Sequence, residues 1–379
     1  MANTVAAISR LVGCSPATVS RAMNNSGSVS PGVRAAVLRA MRESNYVPKS
    51  VKRRSQGAMM RPTKGDLVEI ILHRHTPTEE ITLGTDGIEV GPLHTFQDSF
   101  SKPRRVATSF YRRMIDGAVE ELSRWSLRGV LQLNSDLSSQ LLQREVDLPD
   151  RCGVLLFGEY SSDLSQFVAC CHRPLVLVDI LHDGWPDSVV TDNVFGVSAA
   201  FDHLYSLGHR RIGFAGKLDD VLAFAERFTG FRMKMAEAGL AINPAWVHEG
   251  PNHIEMTGNA VQQILSQEPR PTAFMCSNDC AALGVLRAAN NLGIKVPESL
   301  SVVGFDDEES ASLVTPPLTT VRVPVEQMGR QAVRQLMLQM NLIDGPAARG
   351  CRVRMIPDLV VRQSTAAPPA SSASDTSMA

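Results

Sequence analysis

The residues best suited to chemistry lie close to the start of the chain, grouped around one arginine. Pro16, Ala17, Thr18, Ser20 and Arg21 are near neighbours. The planar guanidinium of Arg21 matches the O6/N7 edge of guanine, whereas Pro16 and Ala17 offer only apolar contact, for example to a thymine methyl. The hydroxyls of Thr18 and Ser20 suit phosphate oxygens. Such a set recognises rather than catalyses. No Gly-x-Ser-x-Gly elbow or paired-carboxylate motif occurs, and Asp306 and Asp307 are adjacent, so their side chains point different ways. A hydrolase built on His172 or His209 with a nearby acid lacks support, and His209 reads instead as a support for the turn entering the next strand. No Gly-x-Gly-x-x-Gly or Walker loop favours a nucleotide cofactor. The seven cysteines form no disulfide framework. Cys276 and Cys280 are placed to share a helix face and Cys170 adjoins Cys171, yet neither pair has zinc-type spacing. The sequence therefore predicts no catalytic residue, no metal and no cofactor.

Positioning Arg21 requires a helix, and the local signals supply one. The spacing of Val5, Ile8, Leu11 and Val12 predicts a first helix over residues 4–11, ended at Gly13. Ser15 followed by Pro16 is an N-cap with proline at the first helical position, which starts a second helix running to Met23, with Val19, Ala22 and Met23 facing inward. Ser30 and Pro31 repeat the signal for a third helix, striped by Val33, Val37, Leu38 and Met41, and Tyr46 closes the small core. Two helices joined by a tight glycine turn and followed by a third make a helix-turn-helix unit, whose second helix enters the major groove. The alternative is an ordinary solvated bundle.

The charge distribution favours the nucleic-acid reading. The chain of 379 residues has 38 Lys and Arg against 39 Asp and Glu, a net of -1. Residues 1–64 alone carry eleven bases and one acid, Glu43, a local net of +10, leaving 27 bases and 38 acids in the remainder. A basic head precedes an acidic body, whose charge should disfavour non-specific DNA contact by the body itself. The length suits two or three domains, and no apolar run approaches the roughly 18 residues that span a bilayer. With no basic n-region and apolar h-region at the start, a cytoplasmic, nucleoid-associated protein is expected.

Ala17-Thr18-Val19-Ser20-Arg21, Asn24, Val29-Ser30, Arg34, Val37 and Asn45-Tyr46-Val47-Pro48 together resemble the headpiece of the LacI/GalR family of bacterial transcription regulators, without a gap. The resemblance implies a dimer binding double-stranded operator DNA, one headpiece per half-site, with Ser15 and Asn24 joining the DNA-contacting set. It also implies that the segment after Pro48 forms a hinge helix on DNA. Here that segment reads Lys49-Ser50-Val51-Lys52-Arg53-Arg54-Ser55. The family usually has asparagine at the position of Lys49 and leucine at that of Ser55. Serine cannot act as an apolar wedge between base steps, so either bending is weaker or Lys52, Arg53 and Arg54 compensate through backbone and minor-groove charge. Without DNA the segment reads as a flexible solvated linker.

From Leu67 onward, short apolar runs alternate with amphipathic helices, the pattern of parallel sheets covered on both faces. Strands are predicted at 68–72, 129–133, 154–157, 175–178, 212–215, 273–276 and 301–305, and helices at 111–125, 194–207, 225–238, 258–267, 280–292 and 325–340. Asp192-Asn193, Gly208-His209-Arg210-Arg211-Ile212, Arg227 with Gly230-Phe231-Arg232, Ser277-Asn278-Asp279, Val303-Gly304-Phe305-Asp306-Asp307 and Pro316-Pro317-Leu318-Thr319-Thr320-Val321 resemble the same family's effector-binding core. That core is similar to periplasmic sugar-binding proteins. The implied fold is an all-α three-helix helix-turn-helix headpiece (1–48), a hinge or linker (49–64) and an α/β periplasmic-binding-protein-like core (65–366). The core would comprise two doubly wound parallel-sheet subdomains, the N-subdomain at about 65–190 and 322–354 and the C-subdomain at about 191–321 and 355–366.

Carried over by the resemblance, Arg227, Asn278 and Asp306 would bond a small-molecule effector from the C-subdomain, Asp179 would do so across the cleft, and Asn252 and His253 lie in a loop that often adds a contact. His253 reads equally as a surface histidine, and Asp279 and Asp307 read as capping or packing residues. A guanidinium fork, an amide and a carboxylate satisfy neighbouring groups on a polyol or a purine. The function implied is repression of carbohydrate uptake or catabolism genes with a sugar-like effector, the alternative being a purine-like or other metabolite. A plain sugar-binding protein would explain the body but not the basic head. The chain departs from the family at 73–109, a long insertion expected to form a flap with a hairpin at 81–90. Residues 367–379 read as a disordered tail without leucine heptads.

Overall fold

The computed structural model describes residues 5–23, 29, 33, 36–37, 40, 66–73, 89–90, 109–134, 151–158, 164–171, 173–182, 186–218, 222–343 and 350–369. In the head, α1 (Val5–Val12) and α2 (Pro16–Met23) meet through Ile8, Val19 and Ala22, and Val37 and Ala40 complete the same apolar cluster. Gly13 takes φ +69, the left-handed turn that a side chain would strain. Leu11, expected inside, is 68% exposed; the inner face of α1 is filled by Ile8, flanked by Val5 and Val12. The side chain of Met23 and all of Leu38, Met41 and Tyr46 lie outside the described residues.

The body contains two sheets. The first runs β12-β6-β5-β4-β1-β3-β2, from β1 (Leu67–His73), β2 (Glu89–Val90), β3 (Arg128–Asn134), β4 (Arg151–Gly158), β5 (Leu175–Val178), β6 (Asp187–Thr191) and β12 (Arg352–Met355), with every pairing parallel. The second runs β13-β11-β10-β9-β7-β8, from β7 (Ile212–Gly216), β8 (Val247–Glu249), β9 (Ala273–Cys276), β10 (Ser301–Asp306), β11 (Thr319–Arg322) and β13 (Asp358–Val360). Only its β11–β13 pairing is antiparallel.

Alternation along β1 explains the layering. Val68, Ile70 and Leu72 face α3 (Ser109–Arg124) and, in the same core, α10 (Val325–Gln339), whereas Ile71 faces α4 (Leu164–Cys170). Gly117 and Gly329 let α3 and α10 approach backbone to backbone, since a Cβ at either would overlap the carbonyl of Glu326 or Met114. In the second sheet Phe214, Val303 and Phe305 pack with α5 (Asn193–Ser206) and α6 (Leu222–Glu237), and Phe274 and Val302 lie in a separate cluster with α8 (Asp279–Asn291) and Val261 of α7 (Ile254–Leu265). The chain crosses between sheets at 191–193, 322–325 and 355–358.

Several expectations change. β2 pairs parallel with β3, so residues 89–90 extend the first sheet; the rest of the insertion, including residues 81–88 of the expected hairpin, lies outside the described residues. Cys276 ends a strand and Cys280 sits in a helix, so they share no helical face. Beyond residue 366 the chain is still described to Pro369. Its approach is held by His209, whose Nδ1 meets Thr272 Oγ1 at 2.9 Å and whose Nε2 lies 2.9 Å from both Ser301 Oγ and the Ala366 carbonyl. Thus His209 supports more than a turn. Residues 370–379 lie outside the described residues.

Candidate effector cleft and DNA-recognition helix

The recognition helix is fixed by a local bond, with the Ser15 hydroxyl accepting from the Thr18 amide at 3.0 Å and touching the Thr18 hydroxyl at 2.9 Å. Ser15 therefore acts first as the N-cap of α2. Pro16, Ala17 and Arg21 are exposed, and Arg21 Nε donates back to the Ala17 carbonyl at 3.3 Å, leaving the far edge of the guanidinium outward. The Ser20 side chain, Asn24, Lys49, Lys52, Arg53, Arg54 and Ser55 lie outside the described residues.

In the body, parallel strands place their carboxyl ends together, where open α/β sheets hold ligands. Arg227, on α6 and 4% exposed, is the centre of this region. It donates from Nε to Asn193 Oδ1 at 2.9 Å and from one terminal nitrogen to the Ser277 carbonyl at 2.6 Å, and the other terminal nitrogen lies 3.0 Å from Asp306 Oδ1. Its guanidinium stacks 3.7 Å from the centre of the Phe305 ring. The ion pair with Asp306 is off the axis of a good hydrogen bond, so charge holds it more than direction. Burial raises the Asp306 carboxyl above the ordinary carboxylate range, and Arg227 opposes that rise.

Backbone strain marks the same strand ends. Asp306 has φ +106 at the end of β10 and Asp179 has φ +63 just past β5, conformations that side-chain-bearing residues adopt at a cost. Asp179 accepts a bond from the Tyr111 hydroxyl at 3.3 Å. A depression between the sheets is lined by Asp179, Ile180 and Val190 on one side and Asn193, Leu222 and Glu226 on the other. Glu226 accepts from Asn193 Nδ2 at 2.9 Å and from Arg354 at 2.9 Å, joining α6 to the edge strand β12 of the other sheet.

Asp179, Arg227 and Asp306 thus occupy the carboxyl ends of the sheets, and Asn193 and Glu226 connect Arg227 to the Asp179 wall. The side-chain oxygen of Asn278 accepts from the Ala281 amide at 2.9 Å as the N-cap of α8, which leaves its amide nitrogen and the second lone pair of the oxygen for a ligand. His253 is exposed at the start of α7 and makes no side-chain cap bond. Its neighbour Asn252 is a structural tie, accepting from the Lys217 amide at 3.0 Å and the Ser277 hydroxyl at 2.6 Å. Asp279 is buried, accepting from Thr320 at 2.6 Å and the Glu308 amide at 2.8 Å, and Asp307 is held by Arg322 at 2.7 Å and Arg362 at 2.6 Å, so both position loops. Sequence reasoning missed Asn193, Glu226, Tyr111 and Arg354. The adjacency of Asn193 to Asp192 and of Glu226 to Arg227 was the only signal for two of them. Among the described residues no group of His, Cys, Asp and Glu could hold a metal ion, and no helix is long and apolar enough to cross a membrane.

Residues 4–49 match the family of bacterial regulatory proteins of the lacI type, and residues 201–365 match the periplasmic binding protein-like domain. Among curated proteins, the HTH-type transcriptional repressor PurR of Haemophilus influenzae is 30% identical, covering 95% of this chain and 98% of its own length; PurR of Pasteurella multocida is 29% identical over the same shares. Among solved structures, a complex of the transcriptional regulator CelR with cellobiose superposes with TM-score 0.62 at 27% identity, covering 95% of this chain and 99% of that one. The lac repressor dimer bound to operator and the anti-inducer ONPF has TM-score 0.63 at 23% identity, covering 96% and 99%, and supports the fold. With a helix-turn-helix head, two mostly parallel sheets and a curated relative matched along nearly its whole length, the chain belongs to the LacI family of bacterial regulatory proteins.

Proposed function

We propose that this chain is a cytoplasmic, ligand-responsive transcriptional repressor that binds a pseudo-palindromic operator as a homodimer, with a sugar or related polyol as effector between its two subdomains. The observation that carries the reading is the Arg227 cluster, where a buried guanidinium pairs with a strained Asp306 and bonds Asn193, which lines a depression together with the strained Asp179. Strained carboxylates at such ends are positioned acceptors for hydroxyl or N–H donors. The assigned effector residues are Asp179, Arg227, His253, Asn278 and Asp306, to which the geometry adds Asn193 and Glu226. DNA contact is assigned to the exposed edge of α2 with Ser15, Pro16, Ala17, Thr18, Ser20, Arg21 and Asn24, and to Lys49, Lys52, Arg53, Arg54 and Ser55 in the linker. Effector occupancy would shift the balance between two subdomain orientations, only one of which holds both heads at half-site spacing.

A purine-like effector is the second reading, favoured by the relatives named PurR. Calorimetry against cellobiose, monosaccharides, sugar alcohols and purine bases separates the two. Binding of one class, abolished by Asp306→Ala and reduced by Asp179→Ala, is expected. Full affinity in both variants would remove the cleft assignment.

A further inference from the structure

A ligand between the two subdomains needs room, and the depression that Asp179 and Glu226 line has little. Its free volume is about 20 Å³, enough for a water molecule or two, where small-molecule sites hold roughly 300 Å³ or more. A sugar or a purine therefore enters only if the walls part. One wall belongs to the first sheet, with Asp179 just past β5 and Val190 on β6. The other belongs to the helices of the second, with Asn193 on α5 and Leu222 and Glu226 on α6.

An ion pair joins the two walls. Glu226 Oε1 accepts from a terminal nitrogen of Arg354 at 2.9 Å, and Arg354 lies on the edge strand β12 in register with Val190 of the opposite wall. Glu226 Oε2 accepts from Asn193 Nδ2 at 2.9 Å, and Asn193 Oδ1 accepts from Arg227 Nε at 2.9 Å. A continuous line of bonds thus runs from Arg227 through Asn193 and Glu226 to the first sheet. It passes the hinge. Two of the three crossings, 191–193 and 355–358, lie beside it, and the Asp192 amide donates to the Met355 carbonyl at 2.9 Å. The Glu226 side chain is 16% exposed and that of Arg354 is 43% exposed, so water screens the pair and it shifts an equilibrium by a few-fold rather than by orders of magnitude.

We propose that the Arg354–Glu226 pair is a clasp across the hinge that holds the depression narrow, so that its strength sets effector affinity and the balance between subdomain orientations. This rests on the reading of the depression as the effector site. Parting the walls breaks the clasp, and the free energy for that comes out of ligand binding, so the observed affinity falls with the fraction of molecules that are not already open. Once released from Arg354, Glu226 offers a carboxylate oxygen to a ligand hydroxyl or N–H. Arg354 is then a residue that controls affinity without itself lining the depression.

The test uses the full-length protein and two readouts. In calorimetry with cellobiose, then monosaccharides, sugar alcohols and purine bases, Arg354→Gln removes the clasp and keeps the wall carboxylate. Its ligand should bind about two- to fivefold more tightly, with Arg354→Lys in between. Adding Arg354→Gln to Glu226→Gln should change nothing further, because the clasp is already gone. Unchanged or weaker binding in Arg354→Gln, or a further effect in the double variant, overturns the inference. Hydrogen exchange read by mass spectrometry on the ligand-free protein needs no effector. Amides at 191–193 and 355–358 should exchange about two- to fivefold faster in Arg354→Gln, while those of β9 keep the unmodified rate. Equal rates at the crossings, or acceleration along the whole chain, also overturns it. If no compound binds the unmodified protein, the effector reading fails, and the exchange rates alone decide whether the clasp exists.

Discussion

Replacing Arg227 by methionine keeps the apolar stem and removes the guanidinium. The side chain is 4% exposed and ties Asn193, Ser277 and Asp306 together, so the variant leaves the Asp306 carboxylate, the Asn193 amide oxygen and the Ser277 carbonyl without that donor. Breaking a buried ion pair from one side costs about 3 to 5 kcal/mol. Part of this is recovered because Asp306, already raised by burial, loses the one cation that lowers it and takes up a proton more readily. A net loss of about 2 to 4 kcal/mol at neutral pH is therefore expected. Adding Asp306→Asn should restore 1 kcal/mol or more, roughly, since the uncompensated charge is gone. Urea unfolding of all four cycle members, with unchanged m-values, measures the coupling. The sign with pH is also fixed. A carboxylate raised in the folded state binds its proton more tightly there, so the Arg227→Met deficit should shrink as pH falls towards 5. A single-variant loss under about 1 kcal/mol, strict additivity in the cycle, or a deficit that grows on acidification would refute the account of Arg227 as a buried, charge-compensated anchor.

Three further outcomes are expected. Burial lowers the His209 imidazole to about 4, below its ordinary value, so its contribution to stability is full above neutral pH and is lost as pH falls through the ordinary histidine range towards 4. This amounts to about 3 kcal/mol, read by urea titration between pH 7 and pH 4, and the same slope in His209→Asn would contradict it. Arg21→Ala should cost about 1 to 3 kcal/mol on sites selected from a random duplex library and relax preference at one base position; an unaltered selected motif rules out base reading by Arg21. Ser55→Leu should increase the bend angle of a bound duplex in circular-permutation gels, because leucine can wedge between base steps and serine cannot; equal mobility in both proteins would count against the wedge argument.

The legible parts of the fold were those with local causes. Ser15-Pro16 announces α2, and the cap bond from Ser15 confirms why. Runs such as Leu175–Val178 read as buried strands because all four residues are apolar, and all four are buried. β12 escaped because Arg352 and Arg354 alternate with Val353 and Met355 on a half-exposed edge, and a charged edge strand resembles a loop in sequence. β6 escaped because it opens with Asp187, whose buried carboxylate is tolerable only because Gln339 and the Cys351 amide, both distant in sequence, donate to it at 2.9 Å.

The sequence by itself determined the class of molecule: a +10 head of helices with their own caps, followed by alternating strand and helix patterns in an acidic body. These rest on short-range chemistry, on periodicity and on charge counts, none of which needs distant contacts. Tertiary structure alone decided the working geometry of the cleft. Asn193, Glu226 and Arg354 are 33 and 128 positions apart in successive bonds, and they meet only because the chain crosses between two sheets. Asp179 and Asp306 adopt left-handed backbones only where the surrounding sheets hold them there.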